Sequence, residues 1–479
     1  MKRIEQLEQA ACGLEPDPAQ RNELSAKAVA YVDQFVESLP HLPGFSTGNI
    51  NKLKALEIGE EAKPLDQLLD ILKEEVDAVG INSASGKHMG YIPGGGLWTS
   101  ALADMLAAGA NRYAGIAYSS PGAVEIENQM IRWLTELVGY PSTAHGNLTS
   151  GGSMANMVAI KAARDFHQVN AANVKTAVIY FTAHTHHCIY KALHITGLHE
   201  AVLRPIALNE QYQMDHLDLQ RQIESDIAEG LRPFLVVATA GTTDTGAIDP
   251  LDQIAVLSKR HNMWFHVDAA YGGFFILVDE IRKRFKGIEQ ADSLVMDPHK
   301  TLFIPYGSGV VLVKDKQTLL ASFSHKATTY MKDAYGLEEI DPSDAGPELT
   351  RHFRGLRMWL PLHLHGLAPF KANLEEKLLL CRYFYEQIGN MGFETGPAPD
   401  LSVAIFRCAD DDDNHKSEQL INALHQDGRV FFSSTTINGK LWIRCAVVSF
   451  RTHLATINLA LTMIKENADL LLKSKQLAN

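Results

Sequence analysis

The residues best suited to chemistry lie in the segment Val295–Leu302, which reads VMDPHKTL. An apolar run precedes it and predicts a buried strand, so Lys300 would lie at the carboxyl end of that strand. Burial lowers the pKa of a lysine amine and makes it a nucleophile that can form a Schiff base with a carbonyl compound. A surface turn would be the better interpretation of an isolated lysine, so the hypothesis depends on the neighbouring motifs.

A second motif, WFHVDAAYGG, places Asp268 at the end of another apolar run. A buried aspartate is costly unless it pairs with a cation, and a pyridinium nitrogen is one such cation. The small residues after Asp268 would let a flat ring approach closely. The alternative is a helix N-cap, which the sequence AAYGG does not obviously support.

A third motif, NLTSGGSMAN, is a Gly/Ser turn that runs into a predicted helix. Backbone N–H groups at a helix N-terminus, with the hydroxyl of Ser153, form an anion site suited to a phosphate. The motif matches neither a Walker loop nor a GxGxxG fingerprint. A capped turn explains this motif equally well when it is taken alone.

A fourth motif, AHTHHCIYKA, follows the predicted strand 176–181. The crowded His184, His186 and His187 suggest zinc, but no second ligand pair lies at zinc-site spacing, so no metal is predicted. An imidazole stacked on a planar cofactor suits this strand-end position better. Helix capping is the alternative for His184 and His187.

These motifs lie in a region, residues 86–365, where apolar runs alternate with helical patterns. The predicted strands are Thr176–Phe181, Phe234–Ala240, Trp264–Ala269, Ser293–Met296 and Gly309–Val313. This alternation predicts an α/β domain with a mostly parallel sheet that is covered on both faces. Ligands of such sheets bind beyond the carboxyl ends of the strands, where all four motifs would meet.

Two further segments flank this large domain. Residues 1–85 form a predicted helical segment, whose amphipathic helices 26–38 and 64–79 need an apolar surface to pack on. A second subunit would provide such a surface. Residues 366–479 predict a small α+β domain, with strands over 401–407, 429–433 and 440–447.

Composition excludes several classes of protein. The 479 residues are 46% hydrophobic and 21% charged, as in globular proteins, and the formal net charge of −12 argues against nucleic-acid or anionic-membrane partners. Five scattered cysteines without a CxxC pair indicate reduced thiols. No signal peptide and no apolar run of about 20 residues is visible, so we expect a cytoplasmic protein.

Taken together, the motifs resemble the group II pyridoxal-phosphate-dependent amino acid decarboxylases, in particular the aromatic-L-amino-acid decarboxylase branch. The resemblance covers nearly the whole chain, through HMGYIPGGG, SSPGAVEIEN, TSGGSMANMVA, ATAGTTDTGAIDPL, WFHVDAAYGG, DPHKTLFIPYG and ELTRHFRGLRMW. It implies the fold type I of pyridoxal-phosphate-dependent transferases, pyridoxal 5'-phosphate as cofactor, and a homodimer. The implied reaction is decarboxylation of an L-amino acid, with an aromatic side chain favoured.

The resemblance also implies a role for each matching residue. Lys300 would hold the cofactor covalently, and Asp268 would pair with the pyridine nitrogen. Ala270 and His186 would pack on the two faces of the ring, and Thr243 would hydrogen-bond near Asp268 or the ring. The remaining implied residues bind the phosphate (Gly152, Ser153, His299), bind the substrate (Tyr91, Pro93, Tyr113) or act as the tyrosine of the family's catalytic loop (Tyr330).

Some positions depart from the family pattern. HHC replaces HSS around His186, and Asp297 replaces an Asn, which should leave the cofactor chemistry unchanged. Gly115 replaces an aromatic residue of the pocket, and Gly94–Gly96 replace more polar residues of the substrate segment. The sequence therefore does not define which side chain the substrate carries. The alternatives are an aldehyde synthase, an aminotransferase or a carbon–carbon lyase on the same scaffold, or an inactive regulatory homologue.

Overall fold

The structure is a computed structural model that describes residues 1–324 and 340–478, with side chains as far as residue 473. Its helices are α1 (Lys2–Ala11), α2 (Pro18–Ser38), α3 (Asn51–Ala55), α4 (Leu65–Leu72), α5 (Trp98–Ala110), α6 (Pro121–Leu137), α7 (Gly152–Phe166), α8 (His187–Ile195), α9 (His216–Ala228), α10 (Leu251–Arg260), α11 (Asp279–Arg282), α12 (Pro298–Thr301), α13 (Lys316–Phe323), α14 (Gly355–His365), α15 (Ala368–Asn390), α16 (His415–Asp427) and α17 (Leu454–Ala478). Its strands are β1 (Phe45–Ser46), β2 (Gly80–Ile81), β3 (His145–Thr149), β4 (Ala177–Thr182), β5 (Val202–Ile206), β6 (Arg232–Thr239), β7 (Trp264–Asp268), β8 (Ser293–Met296), β9 (Gly309–Val313), β10 (Glu394–Thr395), β11 (Val403–Arg407), β12 (Ser433–Ile437) and β13 (Lys440–Ala446).

The largest sheet has seven strands in the order β3-β9-β8-β7-β6-β4-β5. The strands from β8 to β5 are parallel to one another, and β9 pairs antiparallel with both β8 and β3. The predicted mostly parallel sheet is therefore confirmed, and all five predicted strands lie in it within two residues of their expected bounds. The two edge strands, β3 and β5, were not predicted, because their sequences HGNLT and VLRPI lack a continuous apolar run.

Both faces of this sheet are buried. Along β9, Val310 and Leu312 belong to one hydrophobic cluster, while Val311 and Val313 belong to the cluster on the opposite face. Each fully buried side chain of this size contributes about 1.5–3 kcal/mol of stabilisation. Burial on both faces explains why these strands are uniformly apolar rather than alternating.

A second sheet, in the order β10-β11-β13-β12, lies in the C-terminal part of the chain and is antiparallel. Helices α15, α16 and α17 share a hydrophobic cluster with it. The sequence pattern predicted a strand over 429–433, but the strand begins at Ser433. The hairpin explains the shift: Asn438 and Gly439 form its two-residue turn with positive φ angles of 51° and 76°, and this turn pairs Ile437 with Lys440.

The N-terminal helices contribute little to the core. Helices α1 and α2 bury no residue, and α4 buries only Ile71. Helix α2 begins at a capping box between Asp17 and Gln20, earlier than the apolar pattern indicated. No helix in the described residues is long and apolar enough to cross a membrane.

Candidate active site

A cavity of about 340 Å³ lies at the carboxyl ends of the central strands. Its lining includes all eight residues predicted to bind the cofactor: Gly152, Ser153, His186, Thr243, Asp268, Ala270, His299 and Lys300. They come from the starts of α7 and α8 and from the segments that follow β6, β7 and β8. The parallel sheet thus brings together residues that are far apart in the sequence.

Lys300 lies on α12, a single helical turn that follows β8 and starts at Pro298. Its Nζ atom is 3.0 Å from Oδ2 of Asp297, whose side chain is only 2% exposed. Burial opposes the charge of Lys300, but the carboxylates of Asp297 and Asp268 outweigh burial and raise the pKa of the amine. Burial lowers the pKa of Lys300 as expected, but the expected net direction was wrong, because the sequence argument left out the carboxylate three residues earlier.

Asp268 ends β7 and is buried. Its Oδ1 atom accepts the backbone N–H of Ala270 at 3.0 Å, and its Oδ2 atom accepts the side-chain amide of Asn156 at 3.1 Å. Neither bond caps an α-helix, so the N-cap alternative does not hold. In the part of the chain that the structure describes, no lysine or arginine lies within 4 Å of this carboxylate. A buried carboxylate with amide donors only is suited to receive a cationic ligand atom.

The start of α7 forms a cradle in which only glycine fits. A Cβ atom on Gly152 would lie 2.7 Å from Oδ2 of Asp297, and one on Gly309 would lie 2.4 Å from the backbone of Gly151. The first N–H groups of a helix have no partner within the helix, so they are available to an anion. His299, whose Nδ1 atom bonds the carbonyl of Ser308, also lines this end of the cavity. The cradle suits a phosphate group.

His186 is held by the start of α8. Its Nδ1 atom accepts the backbone N–H of Cys188 at 3.3 Å, so the proton of the neutral ring lies on Nε2. Burial lowers the pKa of His186, which keeps the ring neutral at physiological pH. The helix cap suggested for His184 and His187 is thus made by His186, which also lines the cavity. A neutral, flat ring can stack on a planar cofactor.

Thr243 lies in a loop that the C-terminal sheet holds in place. Arg444 of β13 is buried, and its guanidinium donates to the carbonyls of Thr243, Asp244 and Tyr91. It also donates to Ser433 Oγ at 2.6 Å. One side chain of the C-terminal sheet therefore positions backbone at the edge of the cavity.

The predicted substrate residues lie outside this cavity. Tyr91 is 57% exposed and has a positive φ of 52°, and the hydroxyl of Tyr113 donates to the carbonyl of Leu349. Pro93 is buried next to Gly94, where a Cβ atom would lie 2.0 Å from the carbonyl oxygen of His299. Tyr330 lies outside the described residues.

Ten residues of the cavity lining were not predicted as site residues, and Asn156, His184, Cys188 and Asp297 are among them. Asn156 lies three residues after Ser153 on α7, so helical spacing places both on one face, and this signal could have revealed it. His184 Nδ1 and Asp297 Oδ1 are buried and have no hydrogen-bond partner. Buried polar atoms without partners at a cavity wall are consistent with a polar ligand there.

Comparisons with known proteins identify the family. Residues 48–407 match the pyridoxal-dependent decarboxylase conserved domain. An aromatic-L-amino-acid decarboxylase of Bacillus atrophaeus is 31% identical over 436 residues, covering 88% of this chain and 90% of that protein. A phenylacetaldehyde synthase of Arabidopsis thaliana is 28% identical, covering 91% and 93% of the two chains. A crystal structure of Oryza sativa TDC with PLP and tryptamine superposes with a TM-score of 0.89 at 23% identity, covering 95% of this chain and 99% of that one.

The chain therefore belongs to the pyridoxal-dependent decarboxylase family, in its group II branch. It has the fold type I architecture and is a pyridoxal-phosphate-dependent carboxy-lyase, with pyridoxal 5'-phosphate as its cofactor. The cavity fits this group, because it provides a glycine cradle for a phosphate, a buried carboxylate for a ring nitrogen and a lysine amine for an aldehyde.

The ion pair between Lys300 and Asp297 leads to a prediction about cofactor loading. Only the neutral amine attacks an aldehyde, and the carboxylate raises the pKa of Lys300. In Asp297→Asn the pKa of Lys300 falls. Each unit of decrease raises the fraction of uncharged Lys300 amine near pH 7 about tenfold. Mixing apoprotein with pyridoxal phosphate and following the visible absorption band should show faster covalent capture, with its pH dependence moved to lower pH.

The matched control is Asp252→Asn, which removes a carboxylate on α10, away from the cavity. Its loading rate should equal that of the wild type at every pH. An unchanged pH dependence in Asp297→Asn would contradict the role given to this ion pair.

Proposed function

We propose that this enzyme decarboxylates an aromatic L-amino acid to the corresponding amine and CO₂. The observation that carries the proposal is the placement of Lys300 and Asp268 in one cavity beside the glycine cradle of α7. The aromatic-L-amino-acid decarboxylase of Bacillus atrophaeus, similar over almost the full length, supports this class of substrate.

The charge of the cavity also supports a substrate without an acidic side chain. Among the described residues that line it there is no arginine, and Lys300 is the single lysine. An acidic side chain would need a cation as partner, and the amine of Lys300 is already required for the cofactor. The lining instead includes Met154, Tyr271 and three imidazole rings, those of His184, His186 and His299.

The proposed roles of the site residues follow from their contacts. When bound, pyridoxal phosphate supplies the sink for the electron pair that decarboxylation leaves on the α-carbon of the substrate. Asp268 would stabilise a positive charge on the ring nitrogen, and the hydrogen bonds that both of its oxygens accept orient its side chain. The α7 cradle, Ser153 and His299 hold the phosphate, and the neutral ring of His186 keeps the cofactor plane fixed. Lys300 holds the cofactor until substrate replaces it.

The experiment that tests the reaction is a product assay. The protein loaded with pyridoxal phosphate is incubated with each common amino acid, and CO₂ and amine are measured. We expect release of equal amounts of the two from an aromatic amino acid. Lys300→Ala should lose both this turnover and the visible absorption band, because it lacks the amine that holds the cofactor. Turnover that persists in Lys300→Ala, or a transamination product in place of CO₂, would contradict the proposal.

An aldehyde synthase is the second candidate, because a phenylacetaldehyde synthase is 28% identical to this chain. Such an enzyme releases CO₂ and, with dioxygen as oxidant and water as co-reactant, forms an aldehyde, ammonia and hydrogen peroxide in place of the amine. The family resemblance implies that Tyr330, or a water that it orients, protonates the α-carbon, and we propose that this step favours the amine. This role is the point on which the two candidate reactions differ.

The prediction for this tyrosine is a change of product. Tyr330→Phe should slow amine formation and divert turnover toward aldehyde, since the phenolic proton is removed while the ring is kept. Quantifying amine, aldehyde and peroxide in the wild type and the variant checks this. If Tyr330 only packs against its neighbours, the product ratio and rate will be the same in both.

We also propose that the enzyme is a homodimer, with residues 1–85 as the dimerisation segment. Helix α5 supports this, because Trp98, Leu102, Met105 and Leu106 form an exposed apolar stripe on one of its faces. Helices α1 and α2 bury no residue within the chain, which leaves their apolar side chains to a partner. Exposed Tyr91 would then contact substrate from the interface.

A charge on the α5 stripe should disrupt this dimer. Met105→Glu places a carboxylate where burial of an apolar side chain contributes about 1.5–3 kcal/mol, so light scattering should show monomer at concentrations where the wild type is dimeric. The control is Ile227→Glu, which charges an exposed apolar position on α9. A wild-type protein that is monomeric and fully active would contradict the dimer.

A further inference from the structure

A chain of buried polar groups leads from Asp268 through Asn156, which also lines the cavity, to Trp264. The indole Nε1 of Trp264 bonds Ser293 Oγ at 2.8 Å, and Ser293 Oγ bonds His266 Nδ1 at 2.8 Å. His266 Nε2 bonds Asn156 Oδ1 at 2.7 Å, and Asn156 Nδ2 bonds Asp268 Oδ2 at 3.1 Å. All five side chains are at most 5% exposed, so water does not compete for these bonds.

The Asp268 end of this chain fixes the direction of its hydrogen bonds. Trp264 can only donate, and the Asp268 carboxylate can only accept. Asn156 must therefore turn its NH₂ group to Asp268 and its oxygen to His266. That oxygen needs a donor, so His266 carries its proton on Nε2 and accepts the hydroxyl proton of Ser293 on Nδ1.

The protonation of His266 agrees with this direction. Burial lowers its pKa to about 4, so the ring is neutral at physiological pH. A neutral imidazole with the proton on Nε2 is the form that the chain requires. The reversed tautomer would turn the oxygen of Asn156 toward Asp268 and set two acceptors against each other.

We infer that Asn156 and His266 are positioning residues, which hold Asp268 as an oriented acceptor and so keep the proton of the Asp268–ring pair on the ring nitrogen of the cofactor. A proton on Asp268 would have to share an oxygen with an N–H donor, because Asn156 and Ala270 donate to the two oxygens. The inference rests on the proposed placement of the cofactor ring at Asp268, and it concerns two residues to which the sequence motifs alone give no role.

The test measures the ring nitrogen itself. The protein is loaded with pyridoxal phosphate that carries ¹⁵N in the ring, and the ¹⁵N chemical shift is recorded without substrate. The wild type should give the shift of a protonated pyridine. Asn156→Leu, which keeps the size of the side chain but removes the donor, should move the shift toward that of neutral pyridine.

Substitutions at His266 separate this role from a structural one. His266→Phe fills the same buried space but cannot hold Asn156, so the shift should move in the same direction. His266→Gln offers an amide N–H in place of Nε2–H and should restore the wild-type shift. The control Ser258→Ala removes a buried hydrogen bond to Ile254 on α10 and should lower the melting temperature without moving the shift.

Equal shifts in wild type, Asn156→Leu and His266→Phe would overturn the inference, as would a neutral ring nitrogen in the wild type. If Asn156→Leu does not fold, the two His266 variants decide. Equal ¹⁵N shifts in His266→Phe and His266→Gln would overturn the inference. A wild-type shift in His266→Gln together with a moved shift in His266→Phe would support it. The ¹⁵N measurement is made without substrate, whereas the product assay measures the reaction of the wild type. A negative ¹⁵N result would therefore contradict the positioning role of Asn156 and His266 without contradicting the proposed decarboxylation.

Discussion

Two carboxylates, Asp268 and Asp297, are buried at the carboxyl edge of a sheet that is itself apolar on both faces, and the surroundings must compensate their charge. Asp268 receives two amide donors, and Asp297 receives the ammonium group of Lys300. An unpaired buried charge would cost several kcal/mol, so neither side chain would be tolerated in a core without a partner. Asp297 is thus paired with a cation through one of its oxygens, whereas Asp268 has amide donors only and is open to a cation.

This constraint explains how the local structure is arranged. Asn156 lies on α7 because a helix that starts at the phosphate cradle passes the end of β7 within its first turns. Lys300 reaches Asp297 because Pro298 begins a helical turn at once, and a helix brings residues three apart onto one face. The same few elements therefore hold the ring end and the phosphate end of the cavity.

Much of the fold and of the candidate site could be predicted from the sequence. Continuous apolar runs located the central strands, and polar motifs at their ends located the eight cofactor-binding candidates that line the cavity. The strand β5 was missed because Arg204 and Pro205 interrupt its run, which an edge strand tolerates. The predicted direction of the Lys300 pKa shift was wrong. The shift depends on the contact with Asp297 in the folded chain, which a pattern of residue types does not reveal. The Asn438-Gly439 turn, in contrast, is a local signal that could have placed β12 correctly.

The buried guanidinium of Arg444 ties the C-terminal sheet to the carbonyls of Thr243 and Asp244 at the cavity edge. A cofactor that contacts Thr243, as proposed, would link its own binding to the folding of the C-terminal region, since a ligand that needs the Thr243 loop in place stabilises every element that holds the loop there. Loss of the cofactor would then lower the stability of a sheet on the far side of this loop.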